Sequence, residues 1–141
     1  MSFLLDTNVI SELRKAKAGR AHPNVVAWVR AVHELDLFLS VITIHEIEVG
    51  ILMAEHRATV TAPILRAWLN GAVLPGFAGR ILPIDTDISR RAAALQVPAT
   101  RPIQDAFIAA TALANNFTLV TRNIADFAPM GVRLLNPWQP A

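Results

Sequence analysis

A chain of 141 residues, 53% hydrophobic and only 17% charged, is the size of one domain with ample material for a core and apolar surface left for a partner. No apolar run reaches the roughly 18–20 residues of a membrane-spanning helix, since Asp6, Asn115 and Asn116 interrupt the best stretches, and Met1 to Asp6 shows no basic leader of a signal peptide. The lack of cysteine excludes disulfides and thiolate metal sites and suits a cytoplasmic protein, while a pI of 9.9 resting on a net charge of only +2 says little about a nucleic-acid partner.

Phe3-Leu4-Leu5 predicts a first strand, and Thr7 to Lys15 a helix with Val9, Ile10 and Leu13 on one face. Arg14, Lys15, Lys17 and Arg20 cluster there; on charge alone a solvated helix end explains them as well as RNA does. Pro23 is placed to open a second helix carrying Val25, Val26, Trp28 and Val29. Leu37 to Val41 is the next strand, followed by a helix from Thr43 to about Arg57 with Ile44, Ile47, Ile51 and Leu52. Val60 to Leu74 reads as helical with Pro63 in its first turn. Arg80 to Ile84 is a third strand and Thr86 to Gln96 a helix; Pro102 marks the first turn of another helix running to about Asn116. Thr118 to Thr121 and Arg133 to Leu135 complete the strands. Strands separated by helices predict an α/β fold with a central parallel sheet of four to five strands flanked by helices. Ligands of such sheets bind beyond the carboxyl ends of the strands, where Asp6 and the segment Thr121 to Asp126 fall.

Four carboxylates stand out, each with a plainer explanation beside it. Asp6 and Thr7 are favoured helix caps. Thr43-Ile44-His45-Glu46 has the spacing of a capping box, which would occupy Glu46 with a backbone amide. Glu48 is expected to face solvent, and His45 has no imidazole partner. Asp105 opens a segment apolar on nearly every face, Asp105 to Ala114, where an acid is costly unless something pairs with it; the plainer role is a first-turn acid complementing the helix dipole. Asp126 follows Thr121-Arg122-Asn123, so Asn123 could cap a short helix with Asp126 in its first turn. Together the four outweigh their separate readings. Carboxylates crowded at one point repel, and a divalent cation relieves them. Without cysteine or paired histidine the ligands are hard oxygens, which suit Mg²⁺ or Mn²⁺. Such a site supports phosphodiester hydrolysis by a metal-activated water.

At these residues the sequence resembles the PIN-domain ribonuclease toxins of VapC type, in particular the FitB-like branch. The matching stretches are Leu4 to Leu13, Ser40 to Ile47 with Gly50, Asp105 to Ala112, Leu119 to Asn123 with Asp126-Phe127, and the ending Val132 to Trp138. The resemblance implies a three-layer fold built as one PIN domain over residues 1–141. It implies that Asp6, Glu46, Asp105 and Asp126 are catalytic and that Asp6 and Asp105 bind Mg²⁺, for which Mn²⁺ can substitute. Thr7, Asn8, Thr121 and Asn123 would orient carboxylates or water, with Arg14, Lys15 and Arg122 as RNA contacts. It further implies the toxin half of a type II toxin–antitoxin pair. Such a protein is an endoribonuclease, homodimeric, inhibited by a VapB/FitA-like antitoxin, and touches operator DNA only through that antitoxin. Two places depart from the family pattern: Val97 to Gln104 is shorter than the usual glycine-containing loop, and Asn123 is neutral where some relatives carry an acid.

Two other readings compete with this one. A catalytically silent PIN-fold module that binds antitoxin or RNA gains nothing from concentrated negative charge. A phosphorelay receiver needs a lysine at a late strand end, and the only lysines are Lys15 and Lys17. Trp28, Leu65, Trp68 and the Ile44 to Leu52 helix offer more apolar surface than one small domain hides, which predicts a symmetric dimer.

Overall fold

Five short strands run parallel in the order β3-β2-β1-β4-β5: β1 Phe3–Leu5, β2 Leu37–Ser40, β3 Ile81–Leu82, β4 Thr118–Val120 and β5 Leu134–Leu135. The computed structural model describes residues 1–140. Phe3 pairs with both Leu37 and Thr118, which puts β1 at the centre, and the chain leaves β1 first to one side and then to the other. The order therefore reverses beside β1, and the crevice at its carboxyl end is where a sheet of this kind binds ligands.

Alternation along the strands builds two cores. Phe3, Leu5, Leu39 and Val120 point to one face, against Val9, Ile10, Ile47 and Ile51. Leu4 and Leu119 point to the other, against Ile108, Ala109, Ala112 and Phe127. The first face is covered by α1 Thr7–Leu13, α2 Pro23–Ala31 and α3 Val41–His56, with α4 Ala62–Trp68 and α5 Leu74–Gly76 beyond them. The second is covered by α7 Ile103–Asn115 and α8 Ile124–Phe127. Outside α7 lies α6 Thr86–Leu95, whose Ile88 and Ala92 meet Ala106 and Ala110. The alanines let α7 approach both neighbours, so its residues from Ala106 to Ala112 are buried except Phe107. Among the described residues no helix is long and apolar enough to cross a membrane.

The boundaries differ from the sequence reading in instructive places. Helix α3 begins at Val41, because β2 runs straight into it and the Ser40 hydroxyl accepts from the Ile42 amide at 3.0 Å. Thr43 to Glu46 is therefore no capping box, and Glu46 is left without that plainer role. The helical stretch expected from Val60 to Leu74 breaks into α4, a π turn over Leu69–Val73, and α5. Pro75 lacks an amide and crowds the carbonyl four residues earlier, which opens the helical ladder. Strand β3 stops at Leu82, since Pro83 cannot donate to a neighbour. Pro102 occupies the cap position of α7 rather than its first turn.

Candidate functional site

The crevice beside the carboxyl end of β1 is organised by Asp6. Its amide donates to Val120 O at 2.9 Å, so the residue continues the β1–β4 ladder, and its side chain is buried. As the cap of α1 it accepts from the Thr7 amide through Oδ1 at 2.8 Å. Capping and a role in the site are compatible here, because Oδ2 is engaged separately. It accepts from the Thr121 hydroxyl at 2.7 Å and, more distantly, from Asn8 Nδ2 at 3.4 Å. Thr121 Oγ1 also accepts from the Asn123 amide at 3.0 Å and from Asn8 Nδ2 at 3.4 Å. Asn8 Oδ1 in turn faces the Arg122 amide at 3.4 Å. The turn after β4 is thus locked to the start of α1.

The other three acids come from three further elements. Asp105 is half-buried in the first turn of α7, and Asp126 is exposed in the first turn of α8. Asn123 sits at the cap position of α8 but makes no side-chain cap bond; its carbonyl accepts from the Asp126 amide instead. Glu46 is half-buried on α3 and lies close enough to Thr7 to gain from its hydroxyl. Asp6 interacts with Asp126, Asp105 with Asp6 and Asp126, and Glu46 with Asp6 and Asp105. Burial pushes the Asp6 carboxyl above the usual range, the bonds from Thr121 and Thr7 oppose this, and the charge of Asp126 adds to it. Burial likewise raises Asp105, reinforced by Asp6 and Asp126. Glu46 is raised by burial, then by Asp6 and Asp105, against the help of Thr7 and His45.

His45 eases Glu46, but among the described residues no Lys or Arg forms an ion pair with the four acids. Among the described residues the ion pairs are Glu12–Lys15, Glu48–Arg66, Glu55–Arg66 and Asp87–Arg91, and none involves the four acids. Glu48, expected in solvent, is held by Arg66. The described residues contain no trio of His, Cys, Asp or Glu gathered tightly enough to enclose an ion unaided. The donors present are carboxylate oxygens, the ligand type that suits Mg²⁺ held by one or two carboxylates and its own waters.

The basic residues separate. Lys15 Nζ is 3.1 Å from Glu12 Oε1, and Arg14 lies over the Trp68 ring at 5.9 Å. Both sit just past the far end of α1, about 12–14 Å from its cap at about 1.5 Å per residue. Arg122 alone of the three adjoins the crevice in the chain, with its guanidinium 5.2 Å from the Trp138 ring centre.

Sequence reasoning missed Thr43. It is fully buried one turn before Glu46, and its Oγ1 accepts from the Thr7 hydroxyl at 3.2 Å, tying α1 to α3. The signal was present: Thr43, Ile47 and Ile51 form one buried stripe at helical spacing, with a hydroxyl in an otherwise aliphatic row.

The PIN domain family model matches residues 3–129. The chain is 43% identical to the VapC ribonuclease Y4jK of Sinorhizobium fredii over 99% of each chain. It is 36% identical to the toxin FitB of Neisseria gonorrhoeae, over 96% of this chain and 98% of that protein. The crystal structure of FitAcB from the same organism superposes with a TM-score of 0.83, covering 97% of this chain and 99% of that one at 34% identity. A toxin–antitoxin complex from Klebsiella pneumoniae gives a TM-score of 0.64 at 27% identity, over 99% of this chain and 100% of the other.

Proposed function

The chain belongs to the PIN-domain family, and from that premise we propose that it is a Mg²⁺-dependent endoribonuclease, the toxin half of a type II toxin–antitoxin pair. One observation carries the reading. Asp6 at the cap of α1, Glu46 on α3 and Asp105 on α7 have raised pKa, in part through one another and Asp126 of α8, and no Lys or Arg forms an ion pair with any of the four among the described residues. A fold pays for such repulsion only where something else supplies the positive charge.

Asp6 and Asp105 would hold the metal, Mg²⁺ or Mn²⁺ in its place. When bound, it neutralises charge on the scissile phosphate and eases deprotonation of water for in-line attack. Thr7 and Thr121 aim the Asp6 carboxylate, and Asn8 and Asn123 fix the turn that carries Thr121. Glu46 and Asp126 face the same crevice as proton acceptors and water-holding groups. Arg14, Lys15 and Arg122 are assigned to RNA, with Arg122 next to the reacting phosphate.

Residues 1–141 act as one PIN domain in the cytoplasm, where RNA is the substrate. The natural inhibitor is a VapB/FitA-like antitoxin that covers the acidic crevice and carries the contact with operator DNA. Two copies pair through the exposed apolar face of α3. The decisive test is cleavage of single-stranded RNA with Mg²⁺ and with EDTA, beside Asp6→Asn and Asp105→Asn. Chelation and either substitution should each lower the rate by about 100-fold or more, since each removes the metal or one of its ligands. Wild type and both variants cutting alike would refute the assignment.

A further inference from the structure

Arg122 is anchored on both sides of its side chain. It follows Thr121, which bonds Asp6 at 2.7 Å, and its own amide faces Asn8 Oδ1 at 3.4 Å. An exposed arginine at the rim of an acidic crevice has an obvious resting place, the nearest carboxylate. It does not take it. Among the described residues its guanidinium forms no salt bridge and no hydrogen bond, and it lies over the indole of Trp138 instead, 5.2 Å from the ring centre. That indole is a fixed platform. The Trp138 amide donates to Asn136 Oδ1 at 2.9 Å, its carbonyl accepts from Asn24 on α2 at 2.7 Å, and its ring packs on the core face that holds Phe3 and Leu5.

Six of the other twelve Lys and Arg residues are committed elsewhere. Lys15, Arg66 and Arg91 are paired with acids, and Arg80, Arg101 and Arg133 donate to backbone carbonyls. Arg122 keeps its planar fork of donors free, in the geometry that matches a phosphate. RNA approaching four carboxylates needs a cation at their edge, and a guanidinium collapsed onto those carboxylates would serve neither RNA nor metal. We infer that Arg122 binds an RNA backbone phosphate flanking the scissile one, and that Trp138 is its positioning residue, holding the guanidinium off the acids until RNA arrives. The inference rests on the ribonuclease reading for the identity of the polyanion.

The test is binding of a short labelled single-stranded RNA to the full chain in EDTA, followed by fluorescence anisotropy across a salt series. Arg122→Ala should weaken binding about 5- to 10-fold and lower the slope of log affinity against log salt by about 0.7, the loss of one phosphate contact. Arg122→Lys should keep the slope and lose part of the affinity. Trp138→Leu should weaken binding about 3-fold in the native background and not at all beside Arg122→Ala; Trp138→Phe, which spares the packing, should fall between. Mn²⁺ titration gives an independent readout. Trp138→Leu should weaken metal binding by releasing Arg122 onto the acids, and Arg122→Ala should restore it. Unchanged affinity and slope in Arg122→Ala overturn the phosphate role. An equal Trp138→Leu effect in both backgrounds overturns the positioning role. RNA binding that depends on Arg122 in a protein that cuts nothing with Mg²⁺ would sink the nuclease reading and leave this inference standing.

Discussion

Thr121 does more to shape the crevice than its size suggests. One hydroxyl donates to Asp6 and accepts from the Asn123 amide and the Asn8 side chain, so its hydrogen-bonding capacity is spent within the site. Thr121→Val keeps the shape and removes all three bonds. It should cost about 1–3 kcal/mol, because a buried carboxylate oxygen and an amide lose a partner. RNA cleavage should fall about 10- to 100-fold as Asp6 loses its orientation. Thr121→Ser should retain both properties, and melting curves beside cleavage rates would check the pair; a Val variant with native values for both would show that Thr121 is only packing. Of the four acids only Asp105, on an apolar helix, stands out in the sequence by itself; Asp6, Glu46 and Asp126 each have a cap or first-turn role that explains them as well, and their grouping and the family resemblance mark them. Thr121 was legible only through resemblance, and Thr43 not at all, since a threonine is at home on a surface, in a cap or in a core. Only the coordinates tell these apart.

Helix α3 shows where periodicity stops informing. Its length and buried stripe were readable, but its start was not, because Ser40 and Thr43 are equally good caps by type and only the direct β2–α3 junction chooses Ser40. The sheet order was likewise open: strand and helix alternation gives a parallel sheet, while the placing of β1 at its centre depends on pairings between residues far apart in the chain. The apolar residues expected to be left for a partner divide between core and surface, with Val49 and Leu52 of the named helix staying exposed. Trp28, Ile44, Leu65 and Trp68 pack against the core. The apolar groups left in solvent on this side are Val49, Leu52 and Met53 on α3 and Ile64 on α4, with Leu52 53% exposed. This face is the proposed dimer contact. Leu52→Glu should leave the melting temperature within a few degrees, as the side chain touches little, and convert a sedimenting dimer to a monomer. A wild-type protein that stays monomeric at high concentration would remove the dimer.

At the scale of the whole molecule, the raised acids set how stability responds to pH. Asp6, Glu46 and Asp105 each bind a proton more tightly in the folded state than in the unfolded chain. Their favourable contribution is therefore complete below the unfolded carboxylate value of about 4, and is lost as pH rises through the higher folded values. As the pH rises the metal-free protein carries more of the repulsion. Millimolar Mg²⁺ should raise the melting temperature at neutral pH, and the gain should shrink steadily as the pH falls toward about 4, where protons have already discharged the crevice. A gain that stays constant with pH, or none at any pH, would separate the metal from these carboxylates.

The bond between Asp6 and Thr121 spans 115 positions of the chain. During translation, at about 5–20 residues per second, the ribosome needs roughly 6–23 s after adding Asp6 before Thr121 exists to steady it. A nascent chain therefore carries Asp6 through that interval without the hydroxyl that aims it. The carboxylate at the centre of the crevice can be aimed only after Thr121 has been added to the chain.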